Sequence, residues 1–163
     1  MALFRPLAAL LMLALAACET MPPPPTGPSF YVMRHLQKAE GADPPLSEEG
    51  RAGTRRLIGF FMPDPPRVIY VSTTRRARET AAPLAAELRV KMRRYDPADT
   101  PRLIARVLAE RGPVLIVGHS NTVPEIVERL GGERPAALAD TDYGDVWHVW
   151  GEPRRTVRLS IGP

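Results

Sequence analysis

Short apolar runs alternate with amphipathic stretches along most of the chain. Residues 29–33, 68–71 and 114–117 form almost uninterrupted apolar runs, which are typical of strands covered on both faces of a sheet. A shorter strand is predicted at residues 90–95. Apolar positions recur at helical spacing after each of these strands, so the chain predicts four strands that alternate with four helices. This order predicts an α/β fold, with a three-layer α/β/α domain around a mostly parallel central sheet.

Residues that favour helix starts divide the amphipathic stretches. Ser47 is a predicted N-cap for a first helix that reaches about Met62, and residues 72–74 open the second. Pro83 lies inside the second helical pattern and predicts a break, a kink or a new first turn. Thr100 and Pro101 are predicted as the N-cap and first residue of a third helix, which ends at Gly112. The fourth helix begins near Pro124.

The end of the chain changes the topology of the sheet. Residues 146–150 and 156–161 are two strand-like runs separated by a turn, which predicts a C-terminal hairpin. A hairpin is antiparallel, so the central sheet is predicted to be mixed rather than purely parallel.

The first 28 residues follow a different pattern. Arg5 precedes an apolar run at residues 7–17 that is too short to cross a bilayer as a helix. The run ends Leu-Ala-Ala-Cys at Cys18, the only cysteine of the chain, and resembles the lipobox of bacterial lipoproteins. We expect a signal peptide at 1–17, a proline-rich linker at 18–28 and a folded domain at 29–163. An ordinary secretory signal is the alternative. The lipoprotein interpretation predicts lipidation of Cys18 and a membrane anchor in the cell envelope, facing the periplasm.

Composition narrows the class of ligand. Of 163 residues, 44% are hydrophobic, enough for a real core, and the formal net charge of +4 comes mostly from scattered arginines. Such a surface suits a small anion or a membrane. The chain has no basic tract interleaved with aromatic residues, so we expect no nucleic-acid partner.

Polar side chains of a matching kind follow three of the predicted strands. Arg34 and His35 follow the first, Arg76 follows the second, and His119 follows the fourth. Parallel strands bring their carboxyl ends to one edge of a sheet, so these side chains are expected to converge there. Two guanidinium groups beside two imidazoles suit a phosphoryl group, which one imidazole can attack.

The motifs that contain these residues resemble those of the histidine phosphatase superfamily, the phosphoglycerate mutase-like family. The resemblance covers essentially all of residues 29–163. It is carried by the Arg-His pair at 34–35, Leu-Ser-x-x-Gly at 46–50, Ser-x-x-x-Arg-Ala-x-x-Thr-Ala at 72–81 and Gly-His-Ser at 118–120.

The resemblance implies a metal-independent hydrolase of the histidine acid phosphatase type that needs no cofactor. His35 would form a phosphohistidine, and Arg34, Arg76 and His119 would bind the phosphoryl group. His119 would also stabilise the transition state. Arg75 and Arg78 are expected to be solvated. The implied partner is a small phosphorylated substrate or a phosphoprotein, with a phosphomonoester or a phosphohistidine as the scissile group.

Two features leave alternatives open. Asp96 is the favoured proton donor, with Asp99 or no acid as alternatives, and both aspartates also suit a turn or a helix cap. Leu36 stands where the family usually has glycine or alanine, and we expect it to narrow the space beside His35. It therefore motivates an alternative function, a catalytically weak or inactive lipoprotein that binds a phosphorylated ligand.

Several other polar residues have simpler interpretations. His148 is expected to be a structural strand residue, Lys38 to be exposed, and Asn121 either to cap the fourth helix or to contact substrate. The aspartates 140, 142 and 145 are expected to lie in a solvated loop rather than a metal site.

Overall fold

A computed structural model describes residues 27–162 of the chain. The predicted signal peptide, Cys18 and most of the linker lie outside the described residues. The described part contains strands β1 to β6 at Ser29–Arg34, Val68–Ser72, Lys91–Tyr95, Val114–Gly118, Asp145–Trp150 and Arg155–Ser160. Its helices α1 to α4 span Glu48–Phe61, Arg75–Leu88, Thr100–Leu108 and Val123–Arg129. None of the helices within residues 27–162 combines the length and apolar character needed to span a bilayer.

The six strands form a single mixed sheet in the order β3-β2-β4-β1-β5-β6. The pairs β3–β2, β2–β4 and β4–β1 are parallel, whereas β5 pairs antiparallel with β1 and with β6. The predicted mixed sheet with its C-terminal hairpin is therefore confirmed.

Each face of the sheet carries its own hydrophobic core. Tyr31 and Met33 of β1 point to the face covered by α1 and α2. Phe30 and Val32 point to the face covered by α3 and α4. The alternation follows from the two-residue period of a strand. Because both faces are covered, the central strands are apolar throughout, and the polar residues collect at the strand ends.

The helix starts agree with the sequence at α1 and differ at α3. Ser47 is the N-cap of α1, and its Oγ accepts a hydrogen bond from the Gly50 amide at 3.1 Å. Thr100 was predicted as the N-cap of α3, but the cap is Asp99, whose carboxylate accepts from the Arg102 amide at 3.1 Å. A carboxylate is a good cap, and proline is tolerated at either of the first two positions because those amides have no partner in the helix. Helix α3 also ends at Leu108, before Gly112.

Of the break, kink or new first turn predicted near Pro83, the break and the new first turn are wrong. Helix α2 is continuous over Arg75–Leu88 with Pro83 inside it. Pro83 lies on the exposed side of the helix, where water can bond the carbonyl that its missing N–H leaves free.

Candidate active site

The topology brings the carboxyl ends of three parallel strands together. Strands β1 and β4 are neighbours in the middle of the sheet, with Arg34 opposite Gly118, and β2 lies on the other side of β4. The next residues along the chain, His35 after β1 and His119 after β4, therefore reach the same edge.

A cavity of about 380 Å³ opens at this edge. It brings together the four side chains that the sequence predicts to converge, Arg34, His35, Arg76 and His119. The other lining residues are Lys38, Thr74, Pro97, Ser120, Asn121, Thr122 and Asp140. We call this cavity the phosphoryl pocket.

The hydrogen bonds of His35 define its tautomer. Its Nδ1 lies 2.7 Å from the carbonyl oxygen of Leu36, which can only accept, so Nδ1 carries the proton. Its Nε2 lies 3.0 Å from Nε of Arg76, which can only donate. The Nε2 lone pair therefore points at the guanidinium and is the nucleophilic position of the ring.

Burial keeps His35 neutral. Its side chain is 3% exposed, and loss of hydration lowers its pKa to about 3, helped by the charges of Arg76 and Arg34 and by His119. The hydrogen bond to the Leu36 carbonyl opposes this shift without reversing it. At neutral pH the imidazole is a free base.

Hydrogen bonds also fix the tautomer of His119, and burial keeps it neutral. Its ring centroid lies 5.3 Å from that of His35, and Nη2 of Arg76 donates to its Nδ1 at 3.4 Å. Its Nε2 then carries the proton and donates to Oγ of Ser72 at 2.8 Å. Burial, with the nearby Arg76 and Arg34, lowers the pKa of His119 to about 4. Arg76 thus bridges two neutral imidazoles.

Arg34 is fixed by the loop before β5. Its Nη1 donates to the carbonyl oxygens of Ala139, Asp140 and Asp142 at 2.7, 3.3 and 3.2 Å. Its Nη2 donates to the Tyr143 hydroxyl at 3.3 Å, and the Tyr143 ring lies 4.2 Å from the guanidinium carbon. The Nε atom is buried and has no hydrogen-bond partner within the described residues. One edge of the guanidinium is thus bound to the protein, while its Nε remains an unused donor.

Three motif residues shape the backbone around the pocket. Thr80 accepts a hydrogen bond from the Leu36 amide at 3.0 Å and donates to the Arg76 carbonyl at 2.8 Å, so it ties α2 to the loop after β1. A Cβ on Gly50 would lie 2.1 Å from the Gln37 carbonyl oxygen, and one on Gly118 would lie 2.8 Å from Oγ1 of Thr122. Both glycines allow close approaches that a side chain would block.

The expected effect of Leu36 on the pocket is wrong. Leu36 is 1% exposed, belongs to the core under α1 and α2, and does not line the pocket. Its methyl groups would lie 3.1 and 3.4 Å from a Cβ on Gly53 of α1. The missing side chain at Gly53 makes room for the larger residue, so the space beside His35 stays free.

The structure does not bring Asp96 and Asp99 into the phosphoryl pocket. Both line a neighbouring cavity, where Asp96 accepts from the Ala98 amide at 2.9 Å and Asp99 caps α3. The carboxylate that lines the pocket is Asp140, whose Oδ1 lies 3.8 Å from Nη2 of Arg34. Asp43 lies nearby, with its Oδ1 3.8 Å from Nη1 of Arg76. The sequence contains no local signal for either, because both lie in irregular loops.

The remaining polar residues have varied positions. His148 bonds Ser29 at 2.8 Å and stacks between Tyr31 and Trp150, as expected of a structural residue. Lys38 and Asn121 line the pocket, and Asn121 is not the cap of α4. Within residues 27–162, no group of three or more His, Cys, Asp or Glu side chains is placed to hold a metal ion.

Comparison with known families and structures identifies the fold. Residues 30–97 match the model of the histidine phosphatase superfamily (branch 1). A protein assigned as the phosphohistidine phosphatase SixA of Agrobacterium tumefaciens is similar with a TM-score of 0.63 and 24% identity, covering 81% of this chain and 97% of its own. None of the curated proteins matches the chain.

Two further structures have the same fold. The tungstate complex of the protein histidine phosphatase SixA has a TM-score of 0.64 and 18% identity, over 82% of this chain and 97% of its own. A mycobacterial glucosyl-3-phosphoglycerate phosphatase has a TM-score of 0.65 and 16% identity, over 81% and 97%. Residues 30–97 thus match the histidine phosphatase superfamily in sequence, and the described domain shares the fold of these three structures.

Proposed function

We propose that this protein is a phosphatase that hydrolyses a phosphomonoester or a phosphohistidine through a phosphohistidine on His35. The observation that carries this proposal is the bond from Arg76 Nε to His35 Nε2, 3.0 Å long, beside a second neutral imidazole. This bond supports the proposal because the Nε2 lone pair of His35 is available and lies next to a guanidinium, a group suited to phosphoryl oxygens. Relatives with this fold are named as phosphohistidine and glucosyl-3-phosphoglycerate phosphatases, which supports the reaction class.

The proposed reaction has two displacements. The Nε2 lone pair of His35 attacks phosphorus, and the bond from phosphorus to the leaving atom breaks with its electron pair on that atom, which takes up a proton. Water then attacks the phosphohistidine, the bond from Nε2 to phosphorus breaks, and inorganic phosphate leaves. His35 returns to its neutral form with Nδ1 still bonded to Leu36.

Charge stabilisation comes from the walls of the pocket. Binding of a phosphoryl dianion would draw Arg76 from His35 Nε2 to an equatorial oxygen. Arg34 and Lys38 add two more positive charges, so the side chains supply the compensation in this metal-independent proposal. His119 would bind a further oxygen.

We propose Asp140, in place of Asp96, as the donor of the leaving-group proton, since it is the carboxylate on the pocket wall. The variant Asp140→Asn should slow the hydrolysis of phenyl phosphate about tenfold or more. It should slow the hydrolysis of p-nitrophenyl phosphate much less, because the p-nitrophenolate leaving group needs no proton. Asp96→Asn is the comparison variant. A larger, leaving-group-dependent loss with Asp96→Asn would restore Asp96 as the donor.

Hydrolysis of p-nitrophenyl phosphate by the full chain tests the main proposal. The wild type should release p-nitrophenol, and His35→Ala should abolish turnover, whereas His148→Gln should retain it. Labelled phosphate should be trapped on the wild-type protein by a denaturing quench at high pH, because the bond from phosphorus to nitrogen is acid-labile. Phosphate binding without turnover would instead favour the binding-protein alternative.

We also propose that the protein is anchored to the membrane through lipidated Cys18 and faces the periplasm. The support is the Leu-Ala-Ala-Cys sequence after an apolar run and the proline-rich spacer that follows it. The variant Cys18→Ser should move the protein from the membrane fraction to the soluble fraction. Membrane retention of that variant would overturn the anchor.

A further inference from the structure

A second cavity, of about 250 Å³, lies at the end of β3 and the start of α3. Its charged lining residues are Arg94, Asp96, Asp99, Arg102 and Arg106. The two cavities are neighbours along two segments of the chain. Thr73 lines the second cavity, and the next residue, Thr74, lines the phosphoryl pocket. Likewise, Asp96 lines the second cavity, and the next residue, Pro97, lines the phosphoryl pocket. The walls of the two cavities are therefore adjacent at both segments.

The arginines of the second cavity are not neutralised by the protein. Within residues 27–162, none of Arg94, Arg102 and Arg106 has a carboxylate within 4.0 Å. Arg93, their neighbour on β3, is by contrast paired with Glu110. The two aspartates on the wall accept from backbone amides and lie more than 4.0 Å from these guanidinium groups, so the guanidinium donors remain available.

One of the three guanidinium groups is preorganised. Arg106 donates from Nη1 to the Arg94 carbonyl at 3.0 Å, and its guanidinium carbon lies 5.0 Å from the centre of the Tyr70 ring. Arg94 and Arg102 are exposed and can turn toward a ligand. Such a set of donors suits a carboxylate or a phosphoryl group.

We propose that the second cavity binds an anionic group on the leaving group of the substrate. The preferred substrates are then small phosphomonoesters that carry a second negative charge, a carboxylate or another phosphoryl group, a few bonds from the scissile phosphate. This inference rests on the proposed phosphatase function. It adds a determinant of specificity that is separate from Arg34, His35, Arg76 and His119.

The test compares phenyl phosphate with 3-carboxyphenyl phosphate as substrates of the full chain. The double variant Arg94→Gln/Arg102→Gln should lose about tenfold in kcat/KM for the carboxylated substrate, the scale of one charge-assisted hydrogen bond. It should stay within about twofold of the wild type for phenyl phosphate. Arg155→Gln, which removes an exposed arginine from β6 at the opposite edge of the sheet, is the matched control and should change neither. Equal losses for both substrates, or no loss, would overturn the proposal.

A binding measurement separates this inference from the proposed function. Calorimetric titration with phenylphosphonate and 3-carboxyphenylphosphonate requires no turnover. The wild type should bind the carboxylated probe about tenfold more tightly, and the double variant should lose that preference. Benzene-1,3-diphosphonate, used in the same way, distinguishes a second phosphoryl group from a carboxylate. Equal affinities of the wild type for all three probes would overturn the second site even if phenyl phosphate is hydrolysed.

Discussion

Arg76 joins the two imidazoles of the site. Its Nε donates to His35 and its Nη2 to His119, so one planar group sets the position of both rings. Lysine has the same charge but offers one compact donor group instead of a fork. The geometry of Arg76, more than its charge, makes the pocket suitable for a tetrahedral oxyanion.

The variant Arg76→Lys therefore should lower kcat/KM for p-nitrophenyl phosphate by about a hundredfold or more, because the bridging donors disappear while the charge stays. Steady-state kinetics checks this. Arg78→Lys on the same helix is the control, since Arg78 bonds the Thr73 carbonyl outside the pocket. A loss of less than about threefold for Arg76→Lys would show that charge alone is sufficient.

Tyr143 holds Arg34 through its ring and its hydroxyl. The variant Tyr143→Leu removes both contacts and should raise KM about tenfold with a smaller change in kcat, because in the proposed mechanism Arg34 binds the phosphoryl group in substrate and transition state alike. Tyr143→Phe keeps the ring and should recover most of the loss. Equal defects in the two variants, or a defect confined to kcat, would contradict this positioning role.

At the scale of elements, the close approach of α1 to the loop after β1 holds the segment that follows His35. The Ser47 amide donates to the Gln37 carbonyl at 3.0 Å, and Gly50 lies directly against the same carbonyl. The motif at 46–50 is thus explained by close packing between helix α1 and the loop after β1. Leu36 and Gly53 form a second contact between the same two elements.

The contact between Gly50 and the Gln37 carbonyl predicts that alanine substitutions at two glycines of α1 have opposite effects on stability. Gly50→Ala places a Cβ against backbone that cannot move independently, and it should lower the free energy of unfolding by about 2 kcal/mol or more. Gly59→Ala faces open space on the same helix and should raise that free energy by about 0.5–1 kcal/mol, the gain in helix propensity. Urea denaturation measures both. A neutral Gly50→Ala would show that the loop after β1 can shift.

At the scale of the whole molecule, the buried imidazoles couple stability to pH. His35 and His119 have pKa values of about 3 and about 4 in the folded protein, against about 6.5 in an unfolded chain. Between about pH 3 and pH 6.5 the unfolded state binds more protons than the folded state. The free energy of unfolding therefore rises with pH over this range, and the contribution of these residues is greatest above pH 6.5. That contribution is lost as the pH falls from about 6.5 toward 3.

The melting temperature of the wild type should therefore fall more between pH 7 and pH 4 than that of His35→Gln/His119→Gln. Differential scanning calorimetry in buffers without phosphate or other oxyanions checks this, since a bound anion would stabilise the folded state. Parallel pH profiles for the two proteins would contradict the burial of neutral imidazoles.

The sequence alone predicted the four side chains that converge in the phosphoryl pocket, Arg34, His35, Arg76 and His119. Apolar runs place the strands, and the polar residues at their ends, His35 and His119, stand out because a strand buried on both faces has no other place for them. Motif spacing separated Arg76 from Arg75 and Arg78. The N-cap of α1 also followed from local chemistry, because a cap depends on neighbours a few residues away.

Only the tertiary structure decided what surrounds those residues. The carbonyls and Tyr143 that hold Arg34 lie more than a hundred positions along the chain, in a loop without a periodic pattern. The direction of Leu36 depended on the absence of a side chain at Gly53, and the location of Asp96 outside the phosphoryl pocket depended on how β3 and α3 pack. Periodicity and capping act over a few residues. Contacts between loops depend on how the whole sheet and its helices assemble, and local sequence does not contain that information.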